Sequence, residues 1–230
     1  MTQGHEAFAM AFFAVLATAT SQIPAYAQGP NTWTTGAAMP TALQGPATGV
    51  IGGLVYVVGG EINSGADVNT NQIYDTATNT WTIGAPMPTA RYGPVGAVVN
   101  NVLYVIGGSL NGEYVNVVEA FDPASNTWST KSPMPTPRAS MPAVPDGGII
   151  YVIGGVNSNG LLATVESYNP STDTWTEEAP LLVGKSGVAA GLLGSTIVAA
   201  GGLSGSGDVT DNERIQLFHQ LLANPGAGSR

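Results

Sequence analysis

A glycine pair closes an apolar run four times in this chain, at Gly59-Gly60, Gly107-Gly108, Gly154-Gly155 and Gly201-Gly202, in steps of 48, 47 and 47 residues. Trp33, Trp81, Trp128 and Trp175 recur with the same steps. Two unrelated residue types held in phase over four copies mark a repeat protein with a unit of about 47 residues. The runs ending at Val58, Ile106, Ile153 and Ala200 are short and rich in β-branched residues, the pattern of strands rather than helices. Several short strands in a unit of this length predict an all-β propeller blade.

One unit, Pro86 to Trp128, shows the parts. Pro86-Met87-Pro88-Thr89-Ala90-Arg91 is a proline-set connection. Strands are expected over 95–99 and 102–106, separated by a turn at Asn100-Asn101. After Gly107-Gly108 come a variable loop, 109–114, and a third strand, 115–121. The turn Asp122-Pro123-Ala124-Ser125-Asn126 leads to a fourth strand centred on Trp128. The result is a four-stranded antiparallel meander with two faces, and such sheets must stack on their neighbours to bury them.

The glycine pair, the aromatic at Tyr74, Phe121 and Tyr168, and the Trp seven residues later together resemble the kelch repeat. The resemblance spans about residues 31–218 and implies blades around a central channel, with the Trp packed between blades. Glycines after a strand permit backbone angles or close approach that a Cβ forbids. The fourth copy departs from the pattern: Ile215 stands in place of the aromatic and Leu222 in place of Trp. At the other end, Asn31-Thr32-Trp33 is a fourth strand without its own blade. Two arrangements fit. Either that strand completes the last blade and closes a ring of four, or the chain is a fragment of a larger propeller.

Composition limits the chemistry. Six basic against 15 acidic residues give a formal charge of −9, and so acidic a surface repels a phosphate backbone; no nucleic-acid partner is expected. No segment has the roughly 20 apolar residues of a membrane span. Residues 7–18 are apolar and are followed by Ala25-Tyr26-Ala27, the pattern of a secretory signal cut after Ala27, although Met1 to Glu6 carries Glu6 and no Lys or Arg. The expected organisation is a signal peptide over 1–27, blades over 28–218 and a divergent tail over 219–230, in a secreted or periplasmic protein. Cys is absent, and the histidines are His5 and His219. The usual zinc, copper and Ser-His-Asp sites lack their ligands or bases, so neither metal nor cofactor is expected. Kelch-type galactose oxidases need a Cys-Tyr crosslink and His ligands, which this chain lacks. Sialic-acid mutarotases, also exported kelch propellers, need neither and remain the enzyme alternative.

The repeat also sorts the polar residues. Glu119, Glu166 and Glu213 recur in step and read as scaffold. Asp75, Asp122 and Asn169, with Asn79, Asn126 and Asp173, recur in the turn before the fourth strand, where such side chains bond nearby backbone. Arg91, Arg138 and Lys185 form a third series, with Leu43 as its mismatch. In the family a basic residue here is usually structural; the alternative is a partial cationic ring for a carboxylate or acidic peptide. The next positions in kelch proteins often reach the channel mouth, which makes Gln44, Tyr92, Ser140 and Ser186 candidate ligand contacts beside the three basic residues. The loops after the glycines carry Glu61, Asn63, Asp67, Asn111, Glu113, Tyr114, Asn157, Asn159, Asp208 and Asp211. Loops on a rigid scaffold are where recognition resides. The expected partner is a protein or glycan, and the expected function is binding.

Overall fold

The computed structural model describes residues 33–210 and 212–217, and the chain divides into two units, Met1–Thr34 and Thr35–Arg230. The signal segment, Asn31-Thr32, Asp211 and residues 218–230, including Leu222 and the tail, lie outside the described residues. Trp33 lies in no strand and its side chain is fully exposed.

The second unit contains strands and no helix among the described residues. The first blade is β1 (Ala47–Ile51), β2 (Leu54–Val58), β3 (Asn71–Asp75) and β4 (Thr80–Ile83), paired antiparallel in that order. The second blade is β5 (Val95–Val99) and β6 (Val102–Ile106), a small hairpin of β7 (Ser109–Leu110) and β8 (Glu113–Tyr114), then β9 (Val118–Asp122) and β10 (Thr127–Lys131). The third repeats this with β11 (Ala143–Asp146), β12 (Ile149–Ile153), the hairpin β13 (Val156–Asn157) and β14 (Gly160–Leu161), β15 (Val165–Asn169) and β16 (Thr174–Glu177). In the fourth, β17 (Lys185–Ser186) precedes β18 (Ala189–Leu193) and β19 (Thr196–Ala200), followed by β20 (Leu203–Ser204), β21 (Gly207–Asp208) and β22 (Asn212–Gln216). The expected meander is therefore present, and the family expectation of fold class holds.

Two-residue turns with positive φ join the inner strands, at Asn100-Asn101 (51° and 60°) and at Gly52-Gly53 (59° and 83°); this backbone matches the twist of the strands it joins. The third strand starts at Val118, later than the Val115 expected. Val115 N–H donates to the Gly108 carbonyl, and the Val117 carbonyl accepts from Gly107 N–H. The glycine pair thus captures the segment before it can join the ladder.

Three cores lie between successive blades. Tyr56, Val58 and Met87 pack on Leu103, Val105 and Phe121. Tyr104, Ile106 and Met134 pack on Ile150, Val152 and Tyr168. Tyr151, Ile153 and Val165 pack on Ile197, Ala199 and Leu217. The buried third-strand aromatic is the wedge: Phe121 lies 5.8 Å from Tyr56 across the first junction, and Tyr168 lies 5.8 Å from Tyr104 across the second. The indoles, expected as the wedges, support these junctions from the edge: Trp128 packs against the first core and Trp175 against the second. Trp81, Trp128 and Trp175 are only half-buried, on the outermost strands, each 5.0 Å from the third-strand aromatic of its own blade. An indole N–H needs a polar partner, and these donate to the carbonyls of Ala37, Ala85 and Ser132 in the connections.

The inner strands β1, β5, β11 and β18 pack on one another in sequence order, with no comparable packing of β18 on β1. The fourth sheet holds three strands among the described residues. Trp33, read in the sequence as part of a fourth strand that either closes a ring of four or belongs to a fragment of a larger propeller, lies in no strand.

Candidate ligand-binding rim

The second glycine of each pair shapes one end of every blade. A Cβ on Gly60, Gly108, Gly155 or Gly202 would meet the carbonyl of Gln44, Tyr92, Ala139 or Ser186 at 2.7, 2.8, 2.8 and 2.7 Å, a backbone approach only glycine allows. The segment leading into each inner strand is thereby pressed against its own blade. Gln44 bridges to Glu61, Tyr92 to Ser109 and Ala139 to Val156, and Ser186 pairs with Leu203. The second, third and fourth blades thus carry a small second sheet at this end, made from the loop after the glycines, and the first carries isolated bridges in the same place. The rim is built of backbone.

The basic series sits beneath it. Arg91, Arg138 and Lys185 are 0%, 0% and 1% exposed, so they present no charge to a ligand; burial favours the structural role over the alternative of a partial cationic ring, and corrects their candidacy as ligand contacts. Arg91 Nη2 pairs with Glu119 Oε2 at 2.8 Å, Arg138 with Glu166, and Lys185 Nζ with Glu213 Oε1 at 2.6 Å. Arg91 Nη1 also donates to the carbonyls of Gly107 (2.7 Å) and Val117 (2.9 Å). The second carboxylate oxygen of Glu119 accepts from Thr89 Oγ1, and that of Glu166 from Thr136 Oγ1. Burial pushes the Arg91 and Arg138 guanidinium pKa down, and the paired carboxylates oppose that shift. The backbone carbonyls of the same residues tie blades together: Gly60 N–H donates to Arg91 O, Gly108 N–H to Arg138 O and Gly155 N–H to Lys185 O. In the first blade Leu43 takes the basic position, and Gln72, buried, takes that of the glutamate. Gln72 bonds both backbone groups of Thr41. Charge is removed from both partners together, as burial of an unpaired carboxylate would otherwise demand. Gln72 lies 47 residues before Glu119, so the repeat arithmetic also marks it.

What the rim offers to solvent is neutral. Gln44 and Ser140 are exposed and Tyr92 is half-buried, whereas Ser186 is buried. Gln44 Nε2 lies 3.4 Å from Tyr92 Oη, a bridge between the first and second blades. Backbone bonds run alongside, from Gly93 N–H to Gly45 O and from Gly187 N–H to Ser140 O. Position for position, Gly45, Gly93, Ser140 and Gly187 all have positive φ: 58°, 65°, 56° and 63°. Ser140 alone holds that left-handed conformation with a side chain, which costs energy. Its singularity was readable from the repeat, because the other three copies carry glycine. Among the loops, Asp67 Oδ2 accepts from Asn111 N–H at 2.7 Å, joining the first two blades, and Asn157 Oδ1 accepts from Asn159 N–H within its own hairpin. Glu61 makes isolated bridges to Gln44 on one side and Asp67 on the other. Among the described residues no group of acidic or histidine side chains has the arrangement of a metal site.

Blades of four antiparallel strands with the glycine pair, the third-strand aromatic and the braced Trp define a kelch-type propeller. A family model for the KLHDC2/KLHL20/DRC7 Kelch-repeats domain matches residues 30–202, and the chain belongs to that family. A solved structure, "Structure of YjhT", is similar with a TM-score of 0.66 and 24% sequence identity, covering 74% of this chain and 63% of that one. The chain thus spans less than two thirds of that structure's length. No curated protein matches.

Proposed function

We propose that this chain is an exported binding scaffold that recognises a glycan or a protein segment through the rim described above. Export rests on the apolar stretch 7–18 and the Ala25-Tyr26-Ala27 pattern. The observation that carries the binding reading is Ser140, exposed and held at a φ of 56° where the other blades have glycine. Strain kept at a surface position of a rigid frame points to use of that side chain. Around it the rim presents hydroxyl, amide and phenol groups from Ser140, Gln44 and Tyr92. The three buried cations leave it without fixed positive charge, so a ligand held by hydrogen bonds and ring contact suits it better than an anion. Tyr92 supplies the flat apolar face, and the small residues beside it leave room for a broad, shallow contact.

A screen of immobilised glycans and candidate proteins against the purified chain, with Tyr92→Ala and Ser140→Gly beside it, tests this. Binding should fall about tenfold or more in each variant, the range for truncating a contact residue. Binding that survives both changes intact would place recognition on another face.

A further inference from the structure

The outer strand of each complete blade is locked by a two-point clamp that the fourth blade lacks among the described residues. Asn79 Oδ1 accepts from Ala37 N–H, and two residues on, Trp81 Nε1 donates to Ala37 O. Asn126 and Trp128 grip the two backbone groups of Ala85 in the same way. Asp173 and Trp175 grip those of Ser132. An Asx-Thr-Trp segment in a fourth strand therefore seizes one residue of the connection by both its N–H and its C=O. The next residue in this series is Ala179, 47 positions after Ser132, and no such clamp reaches it among the described residues. A cavity of about 300 Å³ opens there, lined by Ala179, Pro180, Leu181, Tyr151 and Ile215. A dry cavity of about 150 Å³ takes a benzene ring, so this one has room for an indole. Beside it, β22 pairs with β19 alone, and its other edge carries no strand among the described residues.

The sequence holds one Asx-Thr-Trp segment more than the three that are seated: Asn31-Thr32-Trp33, whose indole is fully exposed. The chain's own positions at the clamp spacing, Gln220 and Leu222, are neither Asx nor Trp. We propose that the Ala179 cavity and the free edge of β22 are a docking site for the Asn31–Trp33 segment of a second copy of this chain, added as the missing fourth strand. Strand addition satisfies the backbone groups of an exposed edge while a pocket reads alternate side chains. The donor is a second copy because Ala37, four residues after Trp33, is clamped to the first blade, and β18 has no packing on β1 comparable to that between neighbouring inner strands; an intrachain fit would have to reach from the first blade to the fourth. Reciprocal exchange closes a two-fold dimer.

Sedimentation of the purified chain over a range of concentrations, with Trp emission recorded in parallel, tests the proposal. The wild type should form dimers, and its emission should shift to the blue as they form. Trp33 takes no part in any of the three cores, so Trp33→Ala should stay folded and weaken self-association about 30-fold or more, as expected for a central aromatic anchor. Ile215→Phe supplies a second, opposite readout: it restores the ring on which the other Trp residues stack, and should tighten the dimer. A synthetic peptide of residues 29–36 should compete. A wild-type chain that stays monomeric would overturn the proposal, whether its Trp33 is exposed or buried at all dilutions. So would a dimer unaffected by Trp33→Ala. These outcomes do not depend on ligand binding at the rim.

Discussion

Leu43 and Gln72 in the first blade hold the places that Arg91 and Glu119 hold in the second, and neither change makes physical sense without the other. An unpaired carboxylate in that interior is costly, whereas an amide can bond backbone, as Gln72 does to Thr41. Arg91→Leu alone should therefore destabilise the protein by about 3–5 kcal/mol, and the added change Glu119→Gln should recover most of that loss. Urea unfolding of the two variants decides it; a double variant no more stable than the single one would refute the coupling. Ser140→Gly should do the reverse of an ordinary surface change and stabilise the chain by about 1 kcal/mol, since it relieves a left-handed side chain. The glutamate and basic series were both legible in the sequence, but not that they pair. The partners lie 28 residues apart and meet only when the third strand is laid beside the inner ones.

At the level of the element, the turn before the fourth strand carries both a local and a distant bond. Asp75 and Asp122 bond the backbone two residues on, as expected from residue type alone. Asn79, Asn126 and Asp173 instead reach connections about 40 residues away, which no local pattern reveals. The Tyr168 hydroxyl and the Ser132 N–H hold the Asp173 carboxyl below its ordinary value. A folded pKa below the unfolded one contributes stability that is present above the carboxylate range and is lost as pH falls through it. Asp173→Asn, the residue used at 79 and 126, should keep the turn and lose less stability between neutral pH and about pH 3 than the wild type does. Thermal melts across that range measure it. At the junctions, Phe121→Ala should cost about 3–5 kcal/mol because it empties the wedge against Tyr56.

At the scale of the molecule, the blades among the described residues pack in sequence order, each chiefly on its neighbours, so stability approximates a sum over blades and junctions. The first two junctions each have an aromatic pair across them, while the third has Tyr151 opposite Ile215 and a cavity. Amides of β19 should exchange faster than those of β6, as hydrogen-exchange mass spectrometry would show; equal protection would mean that the third junction is as tight as the others. The family and the blade plan were readable from the glycine and tryptophan phases because both report a backbone repeated without change. The rim was readable only in part. Tyr92, Gln44 and Ser140 fall where the repeat placed them, while the three cations turned inward because their carboxylate partners and backbone carbonyls lie there.

The order of strands and the turns between them were set by the amino-acid sequence alone, since glycine pairs, Asx turns and alternating apolar residues act over a few positions. Which side chains are buried, and which seat stands open at Ala179, was decided by the stacking of blades. Contacts between residues 40 or more apart exist only once neighbouring sheets lie face to face, and no local preference encodes them.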